Sequence, residues 1–209
     1  TEKVFIQIEG LLSELKQEGF THALILGMGG SSLAPEVLAA INGRDDLGLA
    51  VSILDSTHPE EVLAVEKLIP LDKTLFIVSS KSGTTAEINA FYNYFYEKLQ
   101  KTLGSQVGSH FLAITDPGTR LAILASEKKF RRIITANPKV GGRNSALTAF
   151  GLVPAALTGM DTDELAKQTV YNAKWFRPEY PVTENPGIVL GAILGTAALN
   201  GMDKLTILA

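Results

Sequence analysis

Short apolar runs recur along the chain, each closing on a cluster of small or polar residues. His22-Ala23-Leu24-Ile25-Leu26, Ala50-Val51-Ser52-Ile53-Leu54, Thr74-Leu75-Phe76-Ile77-Val78 and His110-Phe111-Leu112-Ala113-Ile114 are of this kind, and Arg132-Ile133-Ile134-Thr135 is a shorter fifth. Solid apolar runs of this length predict strands buried on both faces. Between them the apolar positions follow helical spacing. Val4, Phe5, Ile8, Leu11, Leu12 and Leu15 predict a helix over 3–19, with Gly19 as its stop. Further helices are predicted over 33–41, 59–68, 88–103 and 119–127, two of them opened by Pro35 and Pro59 in the first turn. Strands that alternate with helices in this way predict repeated βαβ units and a parallel sheet.

Beyond Asn137 the pattern changes. An apolar helix is expected over 146–158 and another over 161–176, capped by Asp161 or Thr162. Three prolines in 177–186 read as a connection, and 187–201 as an apolar helix of small residues. A new strand is expected to start at Asp203. The chain is thus expected to divide into a domain over 1–160 and the beginning of a second over 161–209. The start without Met and the end in what reads as mid-strand make an excised piece the expectation.

Parallel sheets bind ligands at the carboxyl ends of their strands, and every polar, glycine-rich cluster falls at such an end. The densest is Ser79-Ser80-Lys81-Ser82-Gly83-Thr84-Thr85-Ala86-Glu87, between the third strand and its helix. A helix N-terminus presents unpaired N–H groups and the positive end of the macrodipole. A helix cap needs one or two hydroxyls; Ser79, Ser80, Ser82, Thr84 and Thr85 supply five. The stretch therefore predicts a phosphate site, with Lys81 as a point charge beside it or as a surface lysine. Glu87 fits a favourable interaction with the helix dipole better than a catalytic role.

Gly27-Met28-Gly29-Gly30 follows the first strand, but Ser32 stands where a dinucleotide fingerprint needs its last glycine. Asp55, ending the second strand, keeps that alternative weakly alive. Gly30 and Ser31 suit contact with a sugar and a plain tight turn equally. Arg143, in Val140-Gly141-Gly142-Arg143-Asn144-Ser145, is placed to stabilise negative charge during a reaction or to grip the phosphate, against a structural ion pair. His22, His58 and His110 are scattered, and neither a metal constellation nor a Ser-His-Asp arrangement is predicted.

Composition narrows the class. The 209 residues are 45% hydrophobic and carry a net charge of −3, which argues against general nucleic-acid or membrane-surface binding. The absence of cysteine excludes disulfides, thiol nucleophiles and thiolate metal sites, and fits a reducing compartment. No apolar run reaches the roughly 18 residues that suggest a membrane span, and Thr1-Glu2-Lys3-Val4 lacks the features of a signal peptide.

Gly27-Met28-Gly29-Gly30-Ser31, Ser80-Lys81-Ser82-Gly83-Thr84-Thr85 and Gly141-Gly142-Arg143 stand in an order and spacing that resemble phosphoglucose isomerase, a family built from two sugar isomerase (SIS) domains. Thr115-Asp116-Pro117-Gly118-Thr119, Phe150 to Leu157 and Asp203-Lys204-Leu205-Thr206 resemble the isomerase half of bacterial transaldolase/phosphoglucose isomerase fusions. The resemblance implies a flavodoxin-like three-layer α/β/α sandwich around a five-stranded parallel sheet. It implies interconversion of glucose 6-phosphate and fructose 6-phosphate through an enediolate, without metal or organic cofactor. Ser80, Ser82, Thr85 and the backbone of Lys81 match phosphate ligands, Gly30 and Ser31 sugar contacts, and Arg143 the arginine beside the reacting end; Thr84 is expected in the same substrate-binding set. The family's catalytic glutamate, in a Glu-Ser-x-Gly-Lys-like motif, is expected beyond Ala209, as are a ring-opening histidine and a lysine. Asn144 departs from the family's usual aromatic. The expectation is a cytoplasmic isomerase fragment that binds sugar phosphate but lacks its base, with neither nucleic acid nor membrane as partner and a homodimer allowed. The alternative is a SIS domain that senses a sugar phosphate without chemistry.

Overall fold

The structure, a computed structural model, describes residues 2–8, 10–42 and 48–206. Two compact units divide near residue 162: Thr1–Thr162 and Asp163–Ala209.

The first unit holds a five-stranded sheet, β1 (His22–Gly27), β2 (Ala50–Leu54), β3 (Thr74–Ser79), β4 (Phe111–Thr115) and β5 (Arg132–Thr135). Its order is β2-β1-β3-β4-β5, and every pairing is parallel. Helices α1 (Glu2–Ile8), α2 (Leu11–Gln17), α3 (Leu33–Asn42), α4 (Pro59–Leu68), α5 (Ala86–Leu103), α6 (Arg120–Glu127) and α7 (Ala149–Leu157) surround it. This is the α/β sandwich that the apolar runs predict.

The pleat sorts the strand residues by parity. Leu24, Leu26, Phe76, Val78, Phe111 and Ala113 point to the face covered by α4, α5 and α6. Helix α5 buries Ile88, Phe91, Tyr92, Phe95, Tyr96 and Leu99, a stripe at helical spacing. Phe111 is the hub of this layer: its ring meets those of Phe76, Tyr92, Tyr96 and Phe130 at centroid distances of 5.2, 5.7, 5.5 and 5.3 Å. Residues of the other parity, Ala23, Ile25, Leu75, Ile77, Leu112 and Ile114, are also buried. They face the layer of α1, α3 and α7, which pack on one another.

The single helix expected over 3–19 is two. Gly10 takes φ 74° and starts α2, with no side chain capping it. A glycine in the left-handed region costs little there, whereas it breaks the helical ladder. The helix expected from Ala146 starts three residues later, because the Thr148 side chain accepts the Phe150 N–H and caps it.

At the amino end of the sheet, His110 packs tilted on Phe20 at 4.8 Å, and its Nδ1 lies 3.3 Å from the Thr74 carbonyl. An N–H on Nδ1 donates to that oxygen. Burial, the largest influence, and the nearby Arg131 guanidinium push the imidazole below its ordinary value; the Thr74 carbonyl, Asp72 and Glu18 pull the other way. The unfolded chain therefore takes this proton first as pH falls. The stability held by neutral His110 is complete above the ordinary value of about 6.5 and is lost as pH drops below it. Urea unfolding at pH 7.5 and 5.5 should show a loss at the lower pH that His110→Gln reduces. An equal loss in both proteins would rule His110 out.

The second unit contains α8 (Thr162–Ala173), a 3₁₀ turn over Lys174–Phe176 and α9 (Pro186–Leu199). The boundary at 173 is earlier than expected, because the last turn tightens to 3₁₀. Asn185 caps α9 by accepting the Gly187 and Ile188 N–H groups. Residues 203–206 carry no regular secondary structure, and the remainder of the strand expected from Asp203 lies outside the described residues.

Candidate functional site

The order β2-β1-β3 places the topological switch between β1 and β3, where ligands of such sheets bind. A cavity of about 410 Å³ opens there. Met28, Gly30 and Ser31 line it from the turn after β1, and Ser79 to Ser82, Thr85 and Ile88 from β3 and the start of α5. Asp116 joins from the turn after β4 and Gly142 from the turn after β5.

The loop Ser80–Thr85 is shaped from within. The Ser80 hydroxyl accepts the Gly83 N–H at 3.1 Å and lies 3.0 Å from the Thr85 hydroxyl. The Ser82 hydroxyl accepts the Thr84 N–H at 3.3 Å and the Thr84 hydroxyl at 3.1 Å. Gly83 sits at φ 67°, and a Cβ there would lie 2.8 Å from the Thr119 Cβ and 2.9 Å from the Leu121 nitrogen. Both the turn and the close approach require glycine.

Thr85 stands at the N-cap position of α5, but its side chain caps nothing. Its hydroxyl faces Ser80 instead. An 18-residue helix thus begins without a side-chain cap, its first N–H groups beside a polar cavity. That is the arrangement of an anion site, and it weighs against the simple helix-cap alternative.

The turns after β1 and β5 meet. Gly29–Ser31 and Gly142–Asn144 are each a single 3₁₀ turn, and they touch. A Cβ on Gly30 would run into the Gly142 carbonyl. Ser145, 2% exposed, donates to the Gly142 carbonyl at 2.6 Å within its own turn, and its hydroxyl lies 3.5 Å from the Gly30 carbonyl across the junction. Gly30, Ser31 and Gly142 therefore line the cavity together, and the Ser80–Thr85 loop lines it from β3 and the start of α5.

Arg143 follows Gly142 but does not line the cavity. Its side chain is exposed, and no hydrogen bond or ion pair ties its guanidinium among the described residues. The structural ion pair weighed as its alternative is absent there. Lys81 is different: its ammonium lies 2.5 Å from Asp116 Oδ2. The residue types and spacing alone did not single out Asp116; an acid in the polar turn that ends β4 is the signal that could have done so. Asp55 is exposed at the end of β2, an edge strand, and does not line the cavity. Ser32 is fully buried and donates to the Gly29 carbonyl, so it shapes the turn. Among the described residues no three His, Asp or Glu side chains are placed to hold a metal ion. No helix among them is long and apolar enough to cross a membrane.

The phosphoglucose isomerase family model matches residues 12–205. The chain belongs to the phosphoglucose isomerase family. A glucose-6-phosphate isomerase of Carboxydothermus hydrogenoformans is 35% identical over 174 residues, 78% of this chain and 37% of that protein. One of Thermus thermophilus is 36% identical over 142 residues, 68% of this chain and 34% of that protein. Among solved structures, a hypothetical protein of Thermus thermophilus superposes with a TM-score of 0.78 at 28% identity, covering 93% of this chain and 47% of that one. A glucose-6-phosphate isomerase of Chlamydia trachomatis superposes with a TM-score of 0.63 at 24% identity over 75% of this chain and 29% of that one, a likeness of fold. The chain spans about a third of the length of the curated relatives it matches.

Proposed function

We propose that this chain supplies the phosphate- and sugar-contacting part of a glucose-6-phosphate isomerase site. The uncapped N-terminus of α5, facing the cavity within a hydroxyl-rich loop, carries the reading. The α5 N–H groups, the Lys81 backbone N–H and the Ser80, Ser82 and Thr85 hydroxyls hold the phosphate, and Thr84, outside the cavity lining, supports Ser82 through its hydroxyl. Gly30 and Ser31, in the turn after β1, contact the sugar. Arg143, beside the cavity rather than in its lining, steadies the negative charge of an enediolate; no described residue ties its exposed guanidinium.

The names of the relatives point to glucose 6-phosphate as one substrate, and the family resemblance adds fructose 6-phosphate as the other. The reaction moves a proton between two carbons and needs a general base within hydrogen-bond reach. Among the described residues lining the cavity the one carboxylate, Asp116, is engaged by Lys81 and does not suit that role. In a coupled assay the 209-residue chain should bind sugar phosphate without turnover, and robust turnover would overturn the missing base. The second unit is read as the start of a second SIS domain, and the whole protein as a cytoplasmic, transaldolase-fused isomerase able to form a homodimer.

Calorimetric titration with fructose 6-phosphate and with NAD tests the reading. Binding of NAD without fructose 6-phosphate would defeat it. Ser80→Ala and Thr85→Val should each weaken fructose 6-phosphate binding by about 1–3 kcal/mol, the cost of losing a charge-assisted hydrogen bond or its support. Because Ser80 is 3% exposed and bonded within the loop, part of its effect should come through loop shape. Unchanged affinity in both would leave the loop as a structural turn.

A further inference from the structure

Lys81 sits in the middle of the proposed phosphate loop, yet its side chain points to protein groups. Its ammonium lies 2.5 Å from Asp116 Oδ2 and donates to the Pro138 carbonyl at 3.4 Å. One cation thus joins the loops that come after β3, β4 and β5. The backbone of Lys81 is held as well. Its carbonyl accepts the Asp116 N–H at 3.3 Å and the Thr115 hydroxyl at 3.4 Å. Thr115 in turn lies 2.8 Å from the hydroxyl of Thr119, the residue against which Gly83 is pressed. The turn after β4 therefore grips the loop at both Lys81 and Gly83.

The carboxylate has little freedom to release its partner. Asp116 Oδ1 is buried and has no hydrogen-bond partner among the described residues, so it is cut off from solvent on that side. A carboxylate so desolvated depends on its counter-ion for compensation. The paired charges cancel, which leaves the attraction for an anion at this loop to the α5 N–H groups.

We propose that Asp116 is a positioning residue for the phosphate loop, and that Lys81 is its tether rather than a side-chain ligand of the phosphate. The inference rests on the sugar-phosphate reading above and deepens it. Removing either end of the tether should loosen the loop and blunt the convergence of its N–H groups on one anion.

The test is a double-mutant cycle with Asp116→Asn, Lys81→Met and the pair of them. Inorganic phosphate and fructose 6-phosphate are titrated by calorimetry, with melting temperatures measured alongside and amide exchange followed at Ser82 and Gly83. Each single variant should bind both ligands about tenfold more weakly, and the double variant no more weakly than either single. Exchange at the two amides should quicken in all three. Tighter phosphate binding by Asp116→Asn would show that Lys81 is a ligand held in check, and would overturn the proposal. Additive losses in the double variant would overturn it too, as would losses that merely track the melting temperature. Should the unaltered chain bind neither ligand, the sugar-phosphate reading fails by itself. The exchange data then decide the tether: quickened exchange upholds the grip of Asp116 on the loop, and unchanged exchange refutes it.

Discussion

Gly30→Ala should weaken fructose 6-phosphate binding by about tenfold or more. The added methyl group has nowhere to go, because the Gly142 backbone carbonyl occupies its place. The two turns must part, and backbone cannot swing aside as a flexible side chain does. Forcing a methyl group into a packed contact costs about 1–3 kcal/mol, and each ~1.4 kcal/mol lost from binding is a factor of ten. The parting acts on the turn that carries Gly30 and Ser31, and it disturbs the geometry in which Ser145 donates to Gly142. Inorganic phosphate, held by the Ser80–Thr85 loop, should bind nearly as well as before. Calorimetry with both ligands checks this split. Equal loss for both would mean that the turns and the loop are one rigid unit, and no loss for either would mean that the turns need not touch.

The largest effect on stability should come from the aromatic layer beneath α5. Phe111→Ala should lower the unfolding free energy by about 3–5 kcal/mol, the range for deleting a buried phenyl ring. Phe111 is fully buried, and its four ring neighbours come from β3, α5 and the turn before β5. They are tied to separate backbone segments, so they cannot all collapse into the hole. Chemical denaturation gives the value directly. A loss near ~1 kcal/mol would show that the layer refills, as only loosely packed cores do.

Much of the fold is legible in the chain. Val, Ile, Leu and Phe runs at 22–26, 50–54 and 74–78 are strands because a sheet covered on both faces demands apolar residues at both parities. Periodicity predicts one N-terminal helix where there are two, because Gly10 leaves the apolar spacing intact while its own backbone turns left-handed. Helix starts at Thr119 and Thr148 are readable to within a few residues, since their hydroxyls accept N–H groups of the first turn. Thr85 looks the same in sequence and behaves otherwise, because Ser80 claims its hydroxyl.

The local pattern of residues dictates that five strands alternate with helices, and that hydroxyls and glycines gather where those strands end. Both are local properties, set by the pleat, by helical periodicity and by the backbone freedom of glycine. Which strand ends become neighbours is set by the assembled fold. The order β2-β1-β3-β4-β5 brings the turns after β1 and β3 to one cavity, presses Gly30 on Gly142, and delivers Asp116 to Lys81 across 35 residues of chain. Such pairings depend on how the two helix layers pack over the sheet, a matter of long-range burial that no short window of residues records.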